Sequence, residues 1–201
     1  MSEVCSGVPH GSLLGPLFFI IFISDLPSIV LPDNTIALHA DYCKSSRIID
    51  SAEDLEILQQ DLKNLERWST LNSMEFTIKK CEIMKVTRKK PSFTSTFFLN
   101  NTEMEEVDEF RDLGDITDRH LKWNSHVNCV VAKANRMLVL IKRTCRGLND
   151  LKTLRTLYCS IVRSYLEYCS EVWSQYSRKS IDTLEEVQRQ QNKFILKTKD
   201  S

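Results

Sequence analysis

The sequence predicts an α+β fold in which a mixed helix-and-sheet part is followed by an all-helical part. Two patterns support this prediction. Short β-favouring runs surround one amphipathic helix in the first part, whereas apolar residues recur every three or four positions from about Asn124 onwards. Because the period changes at 118–124, we place the division between two domains there, as 1–120 and 121–201.

The first helix is predicted from Ser12 to about Leu31. Proline and glycine at positions 9, 11, 15 and 16 fit a loop and a first helical turn. The apolar run 17–23 is expected to be buried in the core. This run is too short to span a bilayer, and Glu3 precedes it where a signal peptide carries basic residues. We therefore expect no membrane association.

A turn, a short strand and a second helix are predicted next. Asp33 and Asn34 favour a turn into a β-favouring run, 35–40, that ends on Asp41. An amphipathic helix is expected at about 51–71 because its apolar residues recur at spacings of three and four. Ser51 together with Asp54 resembles a capping box.

Short strands and three helical stripes complete the prediction. Strands are expected at 75–78, 82–86, 94–99 and 106–116, with a turn at Asn100-Asn101. The apolar positions of the helical stripes are Val127, Val130, Val131, Ala134, Leu138 and Ile141; then Leu151, Leu154, Leu157, Tyr158, Ile161, Val162, Tyr165 and Leu166; then Leu184, Val187, Gln191, Phe194 and Ile195.

The formal net charge of zero hides a strong asymmetry along the 201 residues. Residues 1–118 carry 11 Lys and Arg against 20 Asp and Glu, whereas residues 119–201 carry 16 against 7. The halves thus have net charges of −9 and +9. This pattern favours a polyanion partner for the second half. The alternative, that helical surfaces are simply rich in Lys and Arg, stays open.

The cysteines and the overall composition exclude several classes of protein. A hydrophobic content of 42% with few Gly and Pro residues is enough for a packed core and argues against disorder. The seven cysteines are scattered, with no CxxC pair and no Cys/His cluster. Neither a structural zinc site nor a disulfide framework is supported, and reduced thiols in the cytoplasm or nucleus are expected.

Two motifs point to a family. The segment Gly-Val-Pro-His-Gly-Ser-Leu-Leu-Gly-Pro at 7–16 and the later His-Ala-Asp-Tyr at 39–42 resemble the template-grip and metal-binding segments of reverse transcriptases of the non-LTR (jockey/LINE-like) retrotransposon type. The resemblance implies a partial polymerase palm, with Asp41 as catalytic residue and metal ligand for Mg²⁺ or Mn²⁺. It also implies a template- and nucleotide-binding set of Gly7, Pro9, His10, Gly11 and Ser12.

The chain departs from the family pattern at its catalytic motifs. Tyr42 stands where the family has the second aspartate of a pair, and no counterpart of the upstream aspartate strand is found. His10 replaces a glutamine. Binding of metal by this chain is therefore doubtful on sequence grounds, because two-metal polymerisation needs several converging carboxylates.

Two further segments resemble the family. One is the segment Trp68…Met74-Glu75-Phe76…Lys80-Cys81…Met84, in which Lys80 matches a family lysine expected to assist the departure of pyrophosphate. The alternative is that Lys80 is a solvated lysine at the end of a strand. Leu113 and Gly114 match the primer-grip turn. Asp115 replaces a valine there, and we expect it to add a negative charge close to a phosphate path.

The helical part resembles the thumb and connecting region of the family. The matching residues are Leu157-Tyr158, Val162-Arg163, Leu166-Glu167-Tyr168, Val172-Trp173-Ser174 and Leu184-Glu185 with Val187-Gln188-Arg189. Lys133, Arg136, Lys142 and Arg143 are expected to contact the nucleic-acid backbone by charge. The aromatic residues Tyr158, Tyr165, Tyr168 and Trp173 are expected in the core, because they share the apolar stripe.

Three functions compete on the sequence alone. The first is a fragment of a retrotransposon RNA-directed DNA polymerase that is inactive by itself, with an RNA template and a DNA primer as the family's partners. The second is a non-catalytic module derived from it that binds RNA, DNA or a protein. The third, an active polymerase completed by a separate fingers chain, conflicts with Tyr42.

Overall fold

The computed structural model of the protein describes residues 11–89, 95–148, 150–174 and 177–199, with side chains up to residue 194. Within these described residues 53% of the structure is helical and 15% is strand, and each sheet is a two-stranded pair, so an α+β class fits the architecture. The described residues form two compact units. One lies within Met1–Ile83 and Lys90–Glu106, and the other within Met84–Lys89 and Val107–Ser201.

The first unit combines two helices with short strands. Its elements are α1 (Gly15–Phe22), a 3₁₀ turn (Leu26–Ile29), β1 (Thr35–His39), β2 (Tyr42–Ser46), α2 (Ala52–Leu71), a second 3₁₀ turn (Ile78–Lys80), β3 (Glu82–Ile83), β4 (Phe98–Leu99), β5 (Thr102–Glu103) and β6 (Glu105–Glu106). β1 pairs with β2 and β4 with β5 in antiparallel fashion, while β3 pairs with β6 in parallel.

Helix α2 confirms its predicted position and capping box. The Ser51 side chain accepts a hydrogen bond from the Asp54 amide, and the Asp54 carboxylate accepts one from the Ser51 amide at 2.9 Å. The two bonds satisfy amides that have no partner within the helix. The buried face of α2 supplies three residues of the core of the first unit, and the flanking segments supply the others; the core residues are Ile23, Leu26, Leu62, Leu65, Trp68, Phe97 and Leu99.

The predicted helix 12–31 is wrong in length and burial. α1 ends at Phe22, and a 3₁₀ turn begins at Leu26. Pro27 explains the break, because its ring would clash with the carbonyl of residue 23 in a continuous helix. Ile23 is buried, but most of the apolar run lies in solvent, with Ile20 and Ile21 each 60% exposed. A helix of eight residues that is apolar on every side can place only one side against the core.

The strand predictions are partly wrong. No strand forms at 75–78, and only Glu82–Ile83 of 82–86 and Phe98–Leu99 of 95–99 are paired; residue 94 lies outside the described residues. The turn at Asn100-Asn101 is confirmed, since both residues have positive φ between β4 and β5. The segment 106–116 holds a hairpin instead of one strand, because the chain turns at Leu113-Gly114.

The second unit consists of that hairpin and a set of helices. Its elements are β7 (Glu109–Asp112), β8 (Asp115–Asp118), α3 (Asn124–Thr144), α4 (Leu151–Leu157), a π-helical turn (Tyr158–Val162), α5 (Arg163–Glu167), α6 (Ser170–Trp173) and α7 (Arg178–Lys199). β7 and β8 are antiparallel. Among the described helices none is long and apolar enough to cross a membrane.

The core of the second unit draws residues from all three predicted stripes. One cluster of buried residues consists of Ala134, Leu138, Ile141, Tyr158, Val162 and Val187. Ile161 and Tyr165, which the second stripe predicts as apolar contacts, are more than one-third exposed. The π-helical turn accounts for this difference, because one added residue per turn rotates the positions that follow it.

Candidate functional site

Asp41 lies at the tip of the β1–β2 hairpin. The register runs from Thr35 opposite Ser46 to His39 opposite Tyr42, so Ala40 and Asp41 are the only residues of the turn. Ala40 adopts a left-handed conformation with φ of 49°, as a two-residue hairpin turn requires. The Asp41 carboxylate is exposed. The local sequence thus places an acidic group at the end of a strand, beyond the last paired residues.

The hairpin has an inner and an outer face. Ile36, Leu38 and Cys43 pack against the core of the first unit. Because side chains alternate along a strand, the outer face carries Thr35, Ala37, His39, Tyr42, Lys44 and Ser46. Tyr42 is 57% exposed and lies directly opposite His39. At the tip, therefore, an imidazole and a phenol flank the single carboxylate.

A buried carboxylate on α2 holds the hairpin in place. Asp61 is fully buried, and its Oδ1 accepts a hydrogen bond from the Leu31 amide at 2.9 Å. Its other oxygen accepts from the Asn34 side chain. Arg47, which follows β2, donates to Asn34 Oδ1 at 2.8 Å and forms an ion pair with Asp54 at 2.8 Å. Both ends of the hairpin are thereby attached to one helix.

Burial and hydrogen bonding shift the titration of these groups. Burial raises the pKa of Asp61, while the Leu31 amide and Arg47 oppose that rise. Hydrogen bonds from Ser51 and then Arg47 lower the pKa of Asp54 to about 2. Burial raises the pKa of the Cys43 thiol to about 11. The sequence analysis did not identify Asp61. An aspartate on the apolar face of α2 could have indicated a buried carboxylate with hydrogen-bond partners, because charged residues are rarely buried unless they are paired.

The hairpin by itself does not fit a magnesium site. Mg²⁺ requires a nearly octahedral set of oxygen ligands, usually including one or two carboxylates with substrate phosphates and water. Asp41 offers one carboxylate, and the phenol and imidazole beside it are poor ligands for a hard cation. In the part of the chain that the structure describes, no group of three or more His, Cys, Asp or Glu side chains could hold a metal ion.

The other predicted residues of the first unit lie at separate places. Lys80 ends the 3₁₀ turn and is exposed; its amide donates to the Thr77 carbonyl at 2.8 Å. Gly7, Pro9 and His10 lie outside the described residues. Gly11 has φ of 80°, a conformation that favours glycine, and the Ser12 hydroxyl accepts a hydrogen bond from the Gly15 amide at 3.0 Å. Ser12 therefore fixes the start of α1.

In the second unit, Leu113 and Gly114 form a tight turn between β7 and β8. Both residues have positive φ, 49° and 105°, and Asp112 pairs with Asp115 on either side of them. The Tyr168 hydroxyl donates a hydrogen bond to the Leu113 carbonyl at 3.0 Å. The turn matches the location predicted from the sequence, and its Tyr168 contact was not foreseen.

The side chain of Asp115, which follows the turn, is directed into the unit and not towards solvent. Asp115 is 7% exposed, and its Oδ1 lies 3.6 Å from Nε2 of His126. Nδ1 of His126 accepts a hydrogen bond from the Ile116 amide at 3.1 Å. Burial lowers the pKa of His126, and the Asp115 carboxylate opposes this effect. The hairpin is thus joined to α3 through the imidazole of His126.

The four basic residues predicted to contact a nucleic-acid backbone lie on α3. Arg136 and Arg143 are exposed and seven positions apart, which is about two helical turns, so they share one face. Lys133 and Lys142 are half-buried at the edges of that face, and the Lys142 ammonium lies 5.9 Å from the centre of the Phe194 ring. The exposed Val139 and Leu140 lie between the two arginines in the sequence.

The aromatic residues of the second unit divide into two groups. Tyr158 and Trp173 are buried, as predicted. The prediction is wrong for Tyr165 and Tyr168, which are 39% and 55% exposed. The Trp173 indole donates to the Tyr168 carbonyl at 2.7 Å, so the backbone of Tyr168 is anchored even though its ring lies near solvent.

Comparison with known proteins places the chain next to one group of polymerases. It is 25% identical to the RNA-directed DNA polymerase from mobile element jockey of Drosophila funebris over 91% of this chain. It is 22% identical to the probable RNA-directed DNA polymerase from transposon BS of Drosophila melanogaster, and 23% identical to that species' jockey polymerase, each over 94% of this chain. No family model and no solved structure matches.

The matches extend over nearly the whole chain but over a small part of each relative. The chain spans about a fifth of the length of these curated relatives, 21%, 22% and 21% respectively. All of them are RNA-directed DNA polymerases from non-LTR mobile elements, so the resemblance predicted from the sequence motifs is confirmed.

Proposed function

We propose that this chain is part of a non-LTR retrotransposon RNA-directed DNA polymerase and has no polymerase activity by itself. Similarity along more than nine-tenths of the chain supports the first half of the proposal. One observation supports the second half: Tyr42, opposite His39 on the outer face of the hairpin, occupies the position of the second aspartate in the family's pair.

The energetic reason is the placement of negative charge. Two-metal polymerisation depends on carboxylates that hold both cations near the reacting oxygens. Asp41 alone supplies one such group at the hairpin tip. Loss of a metal ligand costs several kcal/mol of transition-state stabilisation. Since about 1.4 kcal/mol corresponds to a factor of 10 in rate, the rate of synthesis is expected to fall by several powers of ten.

The remaining assignments follow from the same proposal. Residues 1–120 correspond to a partial palm and residues 121–201 to a thumb-like region. Gly11 and Ser12 precede α1, and together with Gly7, Pro9 and His10 they match in sequence the segment that contacts template and nucleotide in the family. Lys80 supplies a mobile positive charge, and the turn at Leu113-Gly114 contacts the primer.

Primer extension tests the proposal directly. The purified chain is incubated with an annealed RNA template and DNA primer, deoxynucleotides, and Mg²⁺ or Mn²⁺. We expect no extension, and template-dependent synthesis would overturn the proposed inactivity. A companion measurement compares Mn²⁺ binding by Tyr42→Asp with binding by the neutral control Tyr42→Asn. The aspartate variant is expected to bind more tightly, because it adds a carboxylate beside Asp41.

A second candidate function is a non-catalytic module that binds nucleic acid through its helical part. The charge division and the exposed pair Arg136 and Arg143 favour it. Guanidinium groups spaced along a helix can neutralise backbone phosphates without reading sequence. A protein partner is the competing outcome, and the salt dependence of binding distinguishes the two.

Filter binding with an RNA–DNA hybrid at several salt concentrations provides that test. The variant Arg136→Gln/Arg143→Gln is compared with Arg163→Gln/Arg189→Gln, which removes the same charge from arginines already paired with Glu167 and Glu185. If both α3 arginines contact phosphates, the salt slope should fall by about 1.8 in the first variant and less in the second. Equal effects, or binding that ignores salt, would contradict a phosphate interface on α3.

A further inference from the structure

The turn at Leu113-Gly114 depends on a partner outside its own hairpin. The central peptide groups of a two-residue hairpin turn lie beyond the ladder of strand hydrogen bonds. Here the Leu113 carbonyl accepts a hydrogen bond from the Tyr168 hydroxyl at 3.0 Å. The Tyr168 ring also covers Gly114, because its Cε1 lies 3.5 Å from the point where a Cβ on Gly114 would stand. One side chain therefore contacts both residues of the turn.

The backbone of Tyr168 is itself fixed. Its amide donates to the Ser164 carbonyl at 3.1 Å, and its carbonyl accepts from the Trp173 indole at 2.7 Å. The left-handed Cys169, with φ of 55°, turns the chain sharply between α5 and α6. Tyr168 is thereby held at a corner of the helical part, with its ring directed at the hairpin.

A second attachment holds β8 of the same hairpin, next to the turn. His126 accepts from the Ile116 amide, and its ring lies 5.0 Å from the ring of Trp173. Trp173 thus contacts both residues that hold the hairpin, Tyr168 at the turn and His126 at β8. Both attachments belong to the second unit, and both connect the hairpin to the helices that follow it.

We propose that Tyr168 is a positioning residue that fixes the Leu113-Gly114 turn for contact with the sugar-phosphate backbone at a primer end. This inference rests on the proposed function, since it assigns a role within the same nucleic-acid site. The physical reason is electrostatic as well as geometric. A free carbonyl oxygen repels phosphate. The Tyr168 hydroxyl donates a hydrogen bond to the Leu113 carbonyl oxygen, which reduces this repulsion and holds the turn in one conformation.

The test separates the hydroxyl from the ring. Tyr168→Phe keeps the ring over Gly114 and removes only the hydrogen bond to Leu113. Tyr165→Phe is the matched control, because it removes a hydroxyl from the neighbouring exposed tyrosine. Each full-length variant is titrated with a hybrid that has a recessed DNA 3′ end and with a hybrid that is fully double-stranded.

We expect the preference of the unmodified chain for the recessed end to fall about fivefold in Tyr168→Phe, the change that corresponds to one lost neutral hydrogen bond. Tyr165→Phe should leave the preference unchanged. An unchanged preference in Tyr168→Phe would overturn the inference while leaving nucleic-acid binding intact. No binding of either hybrid by the unmodified chain would overturn both this inference and the binding function.

A measurement without nucleic acid distinguishes failure of the role given to Tyr168 from failure of nucleic-acid binding. Amide hydrogen exchange at residues 113–116 should become several-fold faster in Tyr168→Phe than in Tyr165→Phe, because the turn loses its external partner. Unchanged exchange at the turn would show that Tyr168 does not fix it, whatever the chain binds. Equal melting temperatures for the two variants would establish that the effect is local.

Discussion

His126 illustrates how a single buried side chain can make stability depend on pH. The imidazole is 2% exposed, and its Nδ1 accepts the Ile116 amide hydrogen, so the ring proton must lie on Nε2, towards Asp115. A protonated ring would place a second hydrogen against the Ile116 amide. Burial also lowers the pKa of His126, because it removes water from the charged form; Asp115 opposes this effect, and Lys133 and Arg111 add to it.

We therefore predict that the free energy of unfolding decreases as the pH falls below about 6.5. The folded pKa of His126 is below its ordinary value of 6.5, so the unfolded chain binds the proton first. Stability is fully present above 6.5 and is lost as the pH falls towards the folded pKa. Urea titrations of His126→Asn should show a weaker pH dependence, since the amide oxygen can accept from Ile116 without titrating.

The control for this prediction is His120→Asn, which changes an exposed histidine close to the same hairpin. It should retain the pH dependence of the unmodified chain between about pH 5 and 7. The same slope in His126→Asn and in the unmodified chain would contradict the role given to the buried ring.

At the scale of elements, signals that act within one turn were predictable and contacts between distant segments were not. The Ser51 and Asp54 capping box lies within four residues, and the Asn100-Asn101 turn within two, so both could be read from the sequence. The short strands could not, because their pairing is decided by partners elsewhere in the chain. Asp61 likewise acquires its role only when Leu31, 30 positions earlier, donates to it.

That role predicts a large effect of substitution at position 61. Asp61→Leu removes the acceptor for the Leu31 amide and for Asn34 while leaving both donors in place. We expect the free energy of unfolding to fall by about 2–4 kcal/mol, the cost of buried groups that lose their partners. Glu56→Leu on the exposed side of α2 should change it by less than about 0.5 kcal/mol in the same urea titration. Similar values for the two variants would exclude Asp61 as the anchor of the hairpin.

Helix α7 offers the opposite prediction, a substitution that stabilises. Gln191 is fully buried, and neither polar atom of its side chain has a hydrogen-bond partner among the described residues. Its position in an apolar stripe was visible in the sequence, but its lack of a partner was not. Gln191→Leu should raise the free energy of unfolding by about 1–3 kcal/mol, because an unsatisfied polar group is replaced by an apolar one of similar size. Gln191→Ala, which leaves a cavity, should not show this gain.

At the scale of the whole molecule, the distribution of apolar surface differs from what the sequence predicts. The apolar run 17–23 was expected inside the core because a short hydrophobic segment in a chain of this composition is usually buried. In the structure α1 contacts the core through Phe19 and through Phe22, whose ring lies against Trp68, and Ile23 follows the helix into the core. Most other side chains of α1 are exposed. Amphipathic periodicity identifies a buried face, whereas a helix that is apolar on every side gives no indication of which side is covered.

The candidate site shows the same limit of prediction from sequence. Asp41 was predictable from its motif, whereas its neighbours on the outer face of the hairpin are set by the register of β1 and β2.

The exposed side of α1 leads to a prediction about the behaviour of the purified chain. Contiguous apolar surface promotes association of molecules in solution. Ile20→Lys/Ile21→Gln changes two residues that are each 60% exposed, so it should lower the binding of a hydrophobic dye and raise the monomeric fraction in size-exclusion chromatography. It should do so without lowering the free energy of unfolding, because neither side chain belongs to the buried core. Ile23→Lys, at the buried end of the same helix, should instead destabilise the chain by several kcal/mol, since it places an ammonium group against Leu26 and Trp68. If the double variant unfolds as readily as Ile23→Lys, then Ile20 and Ile21 are covered in solution and contribute to stability, and the prediction is wrong.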